Sequence, residues 1–186
     1  YRQAAQQGHP PAHHNLGLCL ELGLGTEKDA EAAVAEYLKA AKQGYAPAQC
    51  NLAFCYLVGV GCEADPQSAI PWLEKAAEQE HPRALGLLGS CYRDGNGVEQ
   101  DLVRAAGYFE KASALEYPPS LCDLGLCYEM GEGVEQDQAR AVELYTQAGE
   151  LGHAPAQCNL GYCYLRGIGC EADAAKAVPW LQKAAE

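Results

Sequence analysis

The sequence repeats itself every 36 residues without an insertion or deletion, and this period limits the folds that the chain can adopt. Leucine, aspartate and paired glycines recur at fixed positions within each period. The leucine column contains Leu16, Leu52, Leu88, Leu124 and Leu160, and the aspartate column contains Asp29, Asp65, Asp101, Asp137 and Asp173. A period of this length is typical of solenoids, in which each repeat buries its apolar face against its neighbours. The sequence therefore predicts an array of five full repeats.

Composition assigns helices to these repeats. Ala, Leu, Glu and Gln are abundant and Val, Ile and Thr are scarce, which favours helices over strands. The 25 acidic residues outnumber the 13 basic ones, and the net charge of −12 repels polyphosphates and anionic membrane surfaces. No window approaches the roughly 18 consecutive apolar residues of a membrane span. We expect an all-α protein that binds no nucleic acid and does not insert directly into a membrane.

Each period contains the pattern of two helices, here called helix A and helix B. In the second repeat, Ala48, Leu52 and Tyr56 fall on one stripe of a helix A over residues 46–58, and Gly59 follows as a left-handed C-cap. Asp65 is then a side-chain acceptor for the first N–H groups of helix B. The predicted buried face of helix B consists of Ala69, Ile70, Leu73, Ala76 and Ala77.

Two features of the pattern disfavour helix. Pro71 and Pro179 lie inside the predicted helices B, so we expect a kinked or late-starting helix in the second and fifth repeats. A column of small residues inside helix A costs about 1 kcal/mol for each glycine relative to alanine. We interpret it as a place where helices touch with no side chain between them. The column is Gly17, Ala53, Gly89, Gly125 and Gly161.

The chain resembles the Sel1-like repeat, a relative of the tetratricopeptide repeat. The motif is clearest in residues 159–169 (Asn-Leu-Gly-Tyr-Cys-Tyr-Leu-Arg-Gly-Ile-Gly), Asp173 and residues 180–185 (Trp-Leu-Gln-Lys-Ala-Ala). The resemblance covers residues 1–186 as a single array: 1–8 as the end of a preceding repeat, then about 9–44, 45–80, 81–116, 117–152 and 153–186. Ala53 in place of glycine, Leu20 in place of tyrosine, and residues 147–149 in place of Lys-Ala-Ala depart from the pattern.

The resemblance implies a right-handed α-α superhelix of antiparallel helix pairs in which helices A line a concave face. It also implies a role as a scaffold or adaptor in the assembly of protein complexes.

Ten cysteines bear on the compartment. Five of them occupy one helix A column, and packed helices stand about 8–10 Å apart, whereas a disulfide requires Cα atoms within about 7 Å. That column is Cys19, Cys55, Cys91, Cys127 and Cys163. We therefore expect reduced, buried thiols and a cytoplasmic protein, with a secreted or periplasmic, disulfide-bonded protein as the alternative. No CxxC pair is present and His13 and His14 have no ligand partner at helical spacing, so we expect no metal site.

Catalytic motifs find little support in this sequence. None of the four serines belongs to a Ser-x-x-Lys or Gly-x-Ser-x-Gly motif. The Gly-x-Gly pairs follow helices rather than strands, and repeated C-caps explain them better than a nucleotide-binding loop. We expect a protein that is not an enzyme and needs no cofactor.

The candidate function is the binding of a peptide or protein segment on the concave face. By analogy with tetratricopeptide geometry, five helix A columns face that surface, where amides pair with a peptide backbone beside apolar anchors. The candidate residues are His14, Asn15, Leu18, Cys50, Asn51, Phe54, Leu57, Val58, Leu87, Asp123, Leu126, Asn159, Tyr162 and Arg166. Two alternatives stay open: the asparagine column braces its own array, or the array is an architectural spacer in a larger protein. End-to-end or homo-oligomeric packing through uncapped termini is a further expectation.

One column distinguishes anchors from core. Leu52 and its equivalents never change, as a core contact shared by every repeat requires. The column of Phe54 instead reads Leu18, Phe54, Ser90, Leu126 and Tyr162. We therefore predict that Phe54, Leu126 and Tyr162 anchor the partner.

Overall fold

The computed structural model describes residues 8–186, and in this part of the chain there are ten helices and no strand. The helices are α1 (Pro10–Leu22), α2 (Ala30–Lys42), α3 (Ala46–Val58), α4 (Pro66–Ala77), α5 (Pro82–Asp94), α6 (Leu102–Ala114), α7 (Pro118–Met130), α8 (Gln138–Glu150), α9 (Ala154–Arg166) and α10 (Ala174–Ala184). Odd numbers are helices A and even numbers are helices B. The predicted all-α repeat fold is confirmed. The predicted end of a preceding repeat lies, except for residue 8, outside the described residues.

The chain forms two compact units, Tyr1–Glu99 and Gln100–Glu186. The first unit contains α1–α5, in which α1 packs on α2, α2 on α3, α3 on α4 and α4 on α5. The second unit contains α6–α10 and has the same order of neighbours. Within a unit, each helix B thus contacts the helix A of its own repeat or of the next one, which is the arrangement of a helical repeat array.

Local sequence sets both ends of the helices A. Pro47 lies in the first turn of α3, where its missing N–H group costs nothing. The helix ends at Gly59, whose φ of 74° is left-handed and whose N–H donates to the Cys55 carbonyl at 2.8 Å. The predicted range and cap of this helix are confirmed. Glycine forms the same cap at Gly23, Gly95, Gly131 and Gly167.

The helices B begin at aspartate caps. The Asp65 carboxylate accepts the Ser68 N–H at 3.1 Å and the Ser68 hydroxyl at 2.5 Å. Both helices that contain an internal proline begin directly after their caps, α4 after Asp65 and α10 after Asp173. Of the two predicted alternatives, a kinked helix or a late start, the late start is therefore wrong. The cap orders the first turn before the proline is reached, and Pro71 and Pro179 are both exposed to solvent.

The small residues of helix A make room for a side chain of helix B. A Cβ atom at Gly17 would lie 2.6 Å from Cε1 of Tyr37, and one at Gly125 would lie 2.6 Å from Cε1 of Tyr145. The predicted contact without an intervening side chain is therefore wrong at these positions, because the aromatic ring of helix B occupies the space that the glycine leaves. Each ring is fully buried.

The two buried tyrosines also find a polar partner. The Tyr37 hydroxyl donates to Glu21 at 2.5 Å, and the Tyr145 hydroxyl donates to Glu129 at 2.7 Å. Burial, followed by these carboxylates, raises the pKa of both phenols far above the usual value of tyrosine. Each tyrosine thus stays neutral and ties its helix B to the end of the paired helix A.

The second glycine of the last four pairs brings successive repeats together. Gly61 has a φ of 70°, and a Cβ atom there would collide with the carbonyl group of Ala30, the first residue of the preceding helix B. Gly97 meets the Pro66 carbonyl in the same way, with 2.5 Å between the added Cβ and the oxygen. In the second unit, Gly133 and Gly169 meet the carbonyls of Leu102 and Gln138. A glycine is therefore required here both for its backbone conformation and for the close approach.

All ten cysteines are free thiols in this structure. Cys50, Cys55, Cys91, Cys122, Cys127 and Cys163 are buried, while Cys158 is exposed. Burial raises the pKa of the Cys50 thiol to about 11 and that of Cys55 to about 12. Cys50 and Cys55 thus behave as small apolar side chains and are protonated at neutral pH.

The glycine contact between repeats yields a matched pair of substitutions. Gly25→Ala places a Cβ atom in open space at a φ of 69°, so it should cost only the left-handed penalty of about 1–2 kcal/mol. Gly61→Ala, at the equivalent position, should add about 1–3 kcal/mol for the collision with Ala30. Urea denaturation of both variants checks this. Equal losses of unfolding free energy would mean that the close approach does not hold repeats together.

The thiols should differ sharply in reactivity. We expect ten thiols to react with a disulfide reagent in denaturant without reductant, whereas in the native protein Cys158 should react first because it alone is exposed. Cys158→Ser should remove the fast phase. Cys122→Ser, at the same repeat position but buried, should leave it intact. Fewer than ten thiols in denaturant would contradict the free state of the cysteines.

Candidate functional site

The candidate residues lie on the helices A. In the first unit they belong to α1, α3 and α5, and in the second to α7 and α9. All except Cys50 are exposed or partly exposed, with Val58 at 51% and Tyr162 at 49%. Cys50 is completely buried and its thiol cannot touch a partner, so its inclusion was wrong. Analogy with tetratricopeptide geometry placed its column on the concave face, whereas in this structure the Cys50 side chain has no exposed surface.

A pocket in the first unit gathers four of the candidates. It encloses about 170 Å³. Its lining consists of Phe54, Leu57 and Val58 from α3, Leu87, Ser90, Cys91 and Asp94 from α5, and Asn96 from the following turn. Apolar side chains from two successive helices A therefore meet at an opening on the surface.

Four of the lining residues, Ser90, Cys91, Asp94 and Asn96, are not among the candidates predicted from the sequence. Asp94 stands in the same column as Val58, and Ser90 in the same column as Phe54. The repeat columns alone could therefore have predicted both residues as part of the surface. Cys91 belongs to the helix A cysteine column, and Asn96 lies between the paired glycines Gly95 and Gly97, which the sequence indicates only as a turn. The pocket thus has an apolar side and a polar edge.

A chain of polar contacts runs beside the pocket across three helices A. The Arg83 guanidinium donates through Nη1 to Oδ1 of Asn51 at 2.7 Å, and Nδ2 of Asn51 lies 3.0 Å from Nε2 of His14. The Arg83 guanidinium carbon also lies 4.7 Å from the centre of the Phe54 ring. Repeats one, two and three are therefore joined through Asn51, and Arg83 is held against the aromatic ring that lines the pocket.

Burial sets the charge state of His14. Desolvation lowers the pKa of its imidazole, and the hydrogen bond to Asn15 opposes this only in part. The ring is neutral at neutral pH, packed 5.8 Å from the Tyr37 ring and 5.4 Å from the Tyr45 ring. A neutral imidazole can accept from Asn51 at Nε2 while Nδ1 donates to Asn15 Oδ1 at 3.4 Å.

These contacts bear on the role of the asparagine column. Asn51 uses both ends of its amide within the array, and Asn159 Nδ2 donates to the Cys122 thiol sulfur at 3.6 Å. Both asparagines therefore brace neighbouring helices A, in agreement with the alternative that the asparagine column braces its own array. The side chains that remain available on this surface are chiefly apolar.

The second unit carries its own apolar positions on helices A. Tyr162 and Leu165 of α9 are 49% and 46% exposed, and the Arg166 guanidinium carbon lies 5.6 Å from the Tyr162 ring centre. Leu126 is partly exposed on α7, and Asp123 lies one turn before it. Phe54 and Tyr162, which are three repeats apart in one column, thus each have an arginine beside their rings.

No three His, Cys, Asp or Glu side chains between residues 8 and 186 converge to hold a metal ion. Over the same residues, the helices are too short and too polar to cross a bilayer.

Comparison with known proteins places the chain among repeat proteins. The Sel1 repeat model matches residues 1–9, 10–45, 46–81, 82–117, 118–153 and 154–186. No curated protein sequence matches significantly. Among solved structures, a Sel1 repeat protein from Oxalobacter formigenes is 37% identical with a TM-score of 0.90, over 96% of this chain and 71% of that one.

Two further structures are similar. A protective antigen of uropathogenic Escherichia coli with an SLR fold is 34% identical with a TM-score of 0.89, and the match covers 99% of this chain but only 39% of that one. Cysteine rich protein B of Helicobacter pylori is 29% identical with a TM-score of 0.55, over 69% of this chain and 92% of its own length. The chain therefore spans well under half of the Escherichia coli protein.

The contrast between core and surface columns is testable through stability. Leu52→Ala should cost about 2–5 kcal/mol, because Leu52 is completely buried and its loss opens a cavity. Phe54→Ala, two residues away on the same helix but partly exposed, should cost about 1 kcal/mol or less. Chemical denaturation of both variants measures the difference. If the two lose similar unfolding free energy, the Phe54 column belongs to the core and the pocket is not a binding surface.

Proposed function

Because this chain belongs to the Sel1 repeat family, whose members generally mediate protein–protein interaction, we propose that it is a non-enzymatic scaffold that binds a peptide or an extended protein segment along its helices A. Helices A of both units present apolar side chains to solvent. The proposed anchors are Phe54 and Leu87 in the first unit, and Leu126 and Tyr162 in the second.

The pocket between α3 and α5 is the observation that supports this proposal most. Its volume of about 170 Å³ accommodates one leucine-sized or phenylalanine-sized side chain. Burying such a side chain contributes about 1.5–3 kcal/mol to an association. A pocket formed by two successive helices A also explains why an array, rather than one repeat, is needed to make the surface.

The variation along the Phe54 column supports the same function. Positions that pack the array meet nearly the same neighbours in each repeat and converge on one residue type, as the leucine column does. The Phe54 column contains aliphatic, aromatic and hydroxyl side chains, and all five positions are at least partly exposed. Packing within the array therefore does not determine the residue type in this column. Contact with a partner can determine it instead.

The cysteines support a reducing compartment as part of the proposal. Six of the ten thiols are buried on helices A as free, small side chains. A cytoplasmic location keeps such thiols reduced, whereas an oxidising compartment selects for bridges.

Selection from a library of random 12-residue peptides displayed on phage tests the function. We expect enriched peptides whose binding weakens at least about 10-fold in Phe54→Ala, because central aromatic contacts dominate such interfaces. The control is Val103→Ala on α6, which removes a side chain that is 70% exposed and lies outside the proposed surface.

Two results would overturn the proposal. A selection without enriched peptides would favour an architectural spacer. Binders that are insensitive to Phe54→Ala, Leu87→Ala, Leu126→Ala and Tyr162→Ala would place the interface on another face.

A further inference from the structure

We propose that Arg83 recognises an acidic side chain of the bound segment, placed within one or two residues of the apolar side chain that enters the Phe54–Leu87 pocket. This inference rests on the proposed function and gives its ligand a definite chemistry. It is carried by the position of Arg83 in the repeat, by its contacts and by the charges around it.

Arg83 breaks a column that is otherwise proline. The equivalent residues in the other four repeats are Pro11, Pro47, Pro119 and Pro155. Proline suits the first turn of a helix, where no N–H group is lost. Since the other four repeats carry proline in this first turn, the packing of the array does not call for an arginine, and Arg83 needs another explanation.

The guanidinium is held in place beside the pocket. Its Nη1 group donates to Asn51, which also contacts His14, and its Cζ atom lies 4.7 Å from the centre of the Phe54 ring. These contacts use one of the five N–H donors that a guanidinium carries. The others are available in a fixed geometry, which is the arrangement that binds a carboxylate through two parallel hydrogen bonds.

No ion pair described in the first unit offsets the charge of Arg83. The helices A of the first unit carry only four Asp, Glu, Lys or Arg side chains: Glu21, Arg83, Arg93 and Asp94. Glu21 accepts from Tyr37, and Asp94 lies 3.0 Å from Nε of Arg93. The described contacts of Arg83 are to the neutral side chains of Asn51 and Phe54, so no described carboxylate forms an ion pair with it.

The positive charge of Arg83 stands out against the acidic charge of the whole protein. With a net charge of −12, the protein as a whole repels acidic segments. A single uncompensated cation beside an apolar pocket therefore selects for a short acidic motif rather than for a generally anionic partner. Charge complementarity with Arg83 therefore indicates that the bound segment carries an acidic side chain.

The surface beside Arg83 suits an acidic side chain of an extended segment. Asn51 and His14 lie on the helices A of repeats two and one, and the Phe54–Leu87 pocket lies between repeats two and three. Within the first unit, the helix A surface thus continues from Arg83 across the pocket and the helices A of repeats two and one. Residues two apart in an extended segment lie about 7 Å apart on one side of it, which suits a carboxylate on Arg83 and an apolar group in the pocket.

The test selects 12-residue phage-displayed peptides on the wild-type protein and on Arg83→Glu. We expect wild-type binders to carry Asp or Glu within two residues of an apolar anchor, and the Arg83→Glu binders to carry Lys or Arg there instead. Arg140→Glu is the matched control, since Arg140 is exposed on helix B of the fourth repeat and pairs with Glu143. This control should leave the selected motif unchanged.

A double-mutant cycle on one selected peptide makes the test quantitative. Replacing its acidic residue by the corresponding amide should weaken binding to wild type about 10-fold or more, because a hydrogen bond to a charged group is lost. The same replacement should change binding to Arg83→Pro less than about 2-fold. Arg83→Pro restores the residue of the other repeats, so the fold is retained. Amidation of the peptide's carboxyl terminus should have no effect.

The outcomes separate this inference from the function on which it rests. Binders that depend on Phe54 but show no acidic preference, or whose acidic residue matters equally in Arg83→Pro, would overturn the role of Arg83 alone. Loss of binding on terminal amidation would replace the acidic side chain by a chain terminus. A selection without any binder that depends on Phe54 would overturn both proposals.

Discussion

The approach of a paired-glycine turn to the preceding helix B, made in repeats two to five, is the contact on which the array depends. At Gly61 the backbone lies so close to the Ala30 carbonyl that no side chain fits between them, and the equivalent contacts recur at Gly97, Gly133 and Gly169. Such a contact fixes the distance between neighbouring repeats within narrow limits, since interiors resist small changes in packing. The same distance between repeats therefore sets the distance between successive helices A, including α3 and α5, which form the pocket.

The residues of helix A fall into three sets with different contacts. One stripe, represented by Leu52, packs the repeat internally and does not vary. A second set, represented by Asn51 and His14, joins neighbouring helices A through hydrogen bonds. A third set reaches the surface with side chains that differ from repeat to repeat. Because the first two sets supply the stability, the third can change without loss of the fold, which is how a repeat array acquires a specific surface.

The pocket and Arg83 illustrate this division. Phe54 is an apolar wall of the pocket and also the ring against which the guanidinium lies, so one residue serves the apolar and the charged part of the proposed site. Arg83 costs the array little, as it replaces a proline in the first turn of α5. Its hydrogen bond to Asn51 adds a link between repeats, and its remaining donors face no described carboxylate.

The sequence by itself determined the fold class, the five-repeat pattern and the ends of helices such as α3, because capping by Asp65 and Gly59 depends only on residues a few positions away. It also identified four of the side chains that line the pocket. The burial of Cys50, the ring of Tyr37 in the space beside Gly17, the engagement of Asn51 and the position of Arg83 beside Phe54 were decided only by tertiary structure. Each of these features depends on residues from another helix. The repeat period predicts how far away in the sequence those residues lie, but it does not specify which side chains come into contact. A helical stripe tells which side chains share a face, whereas the neighbour that covers that face is set by packing.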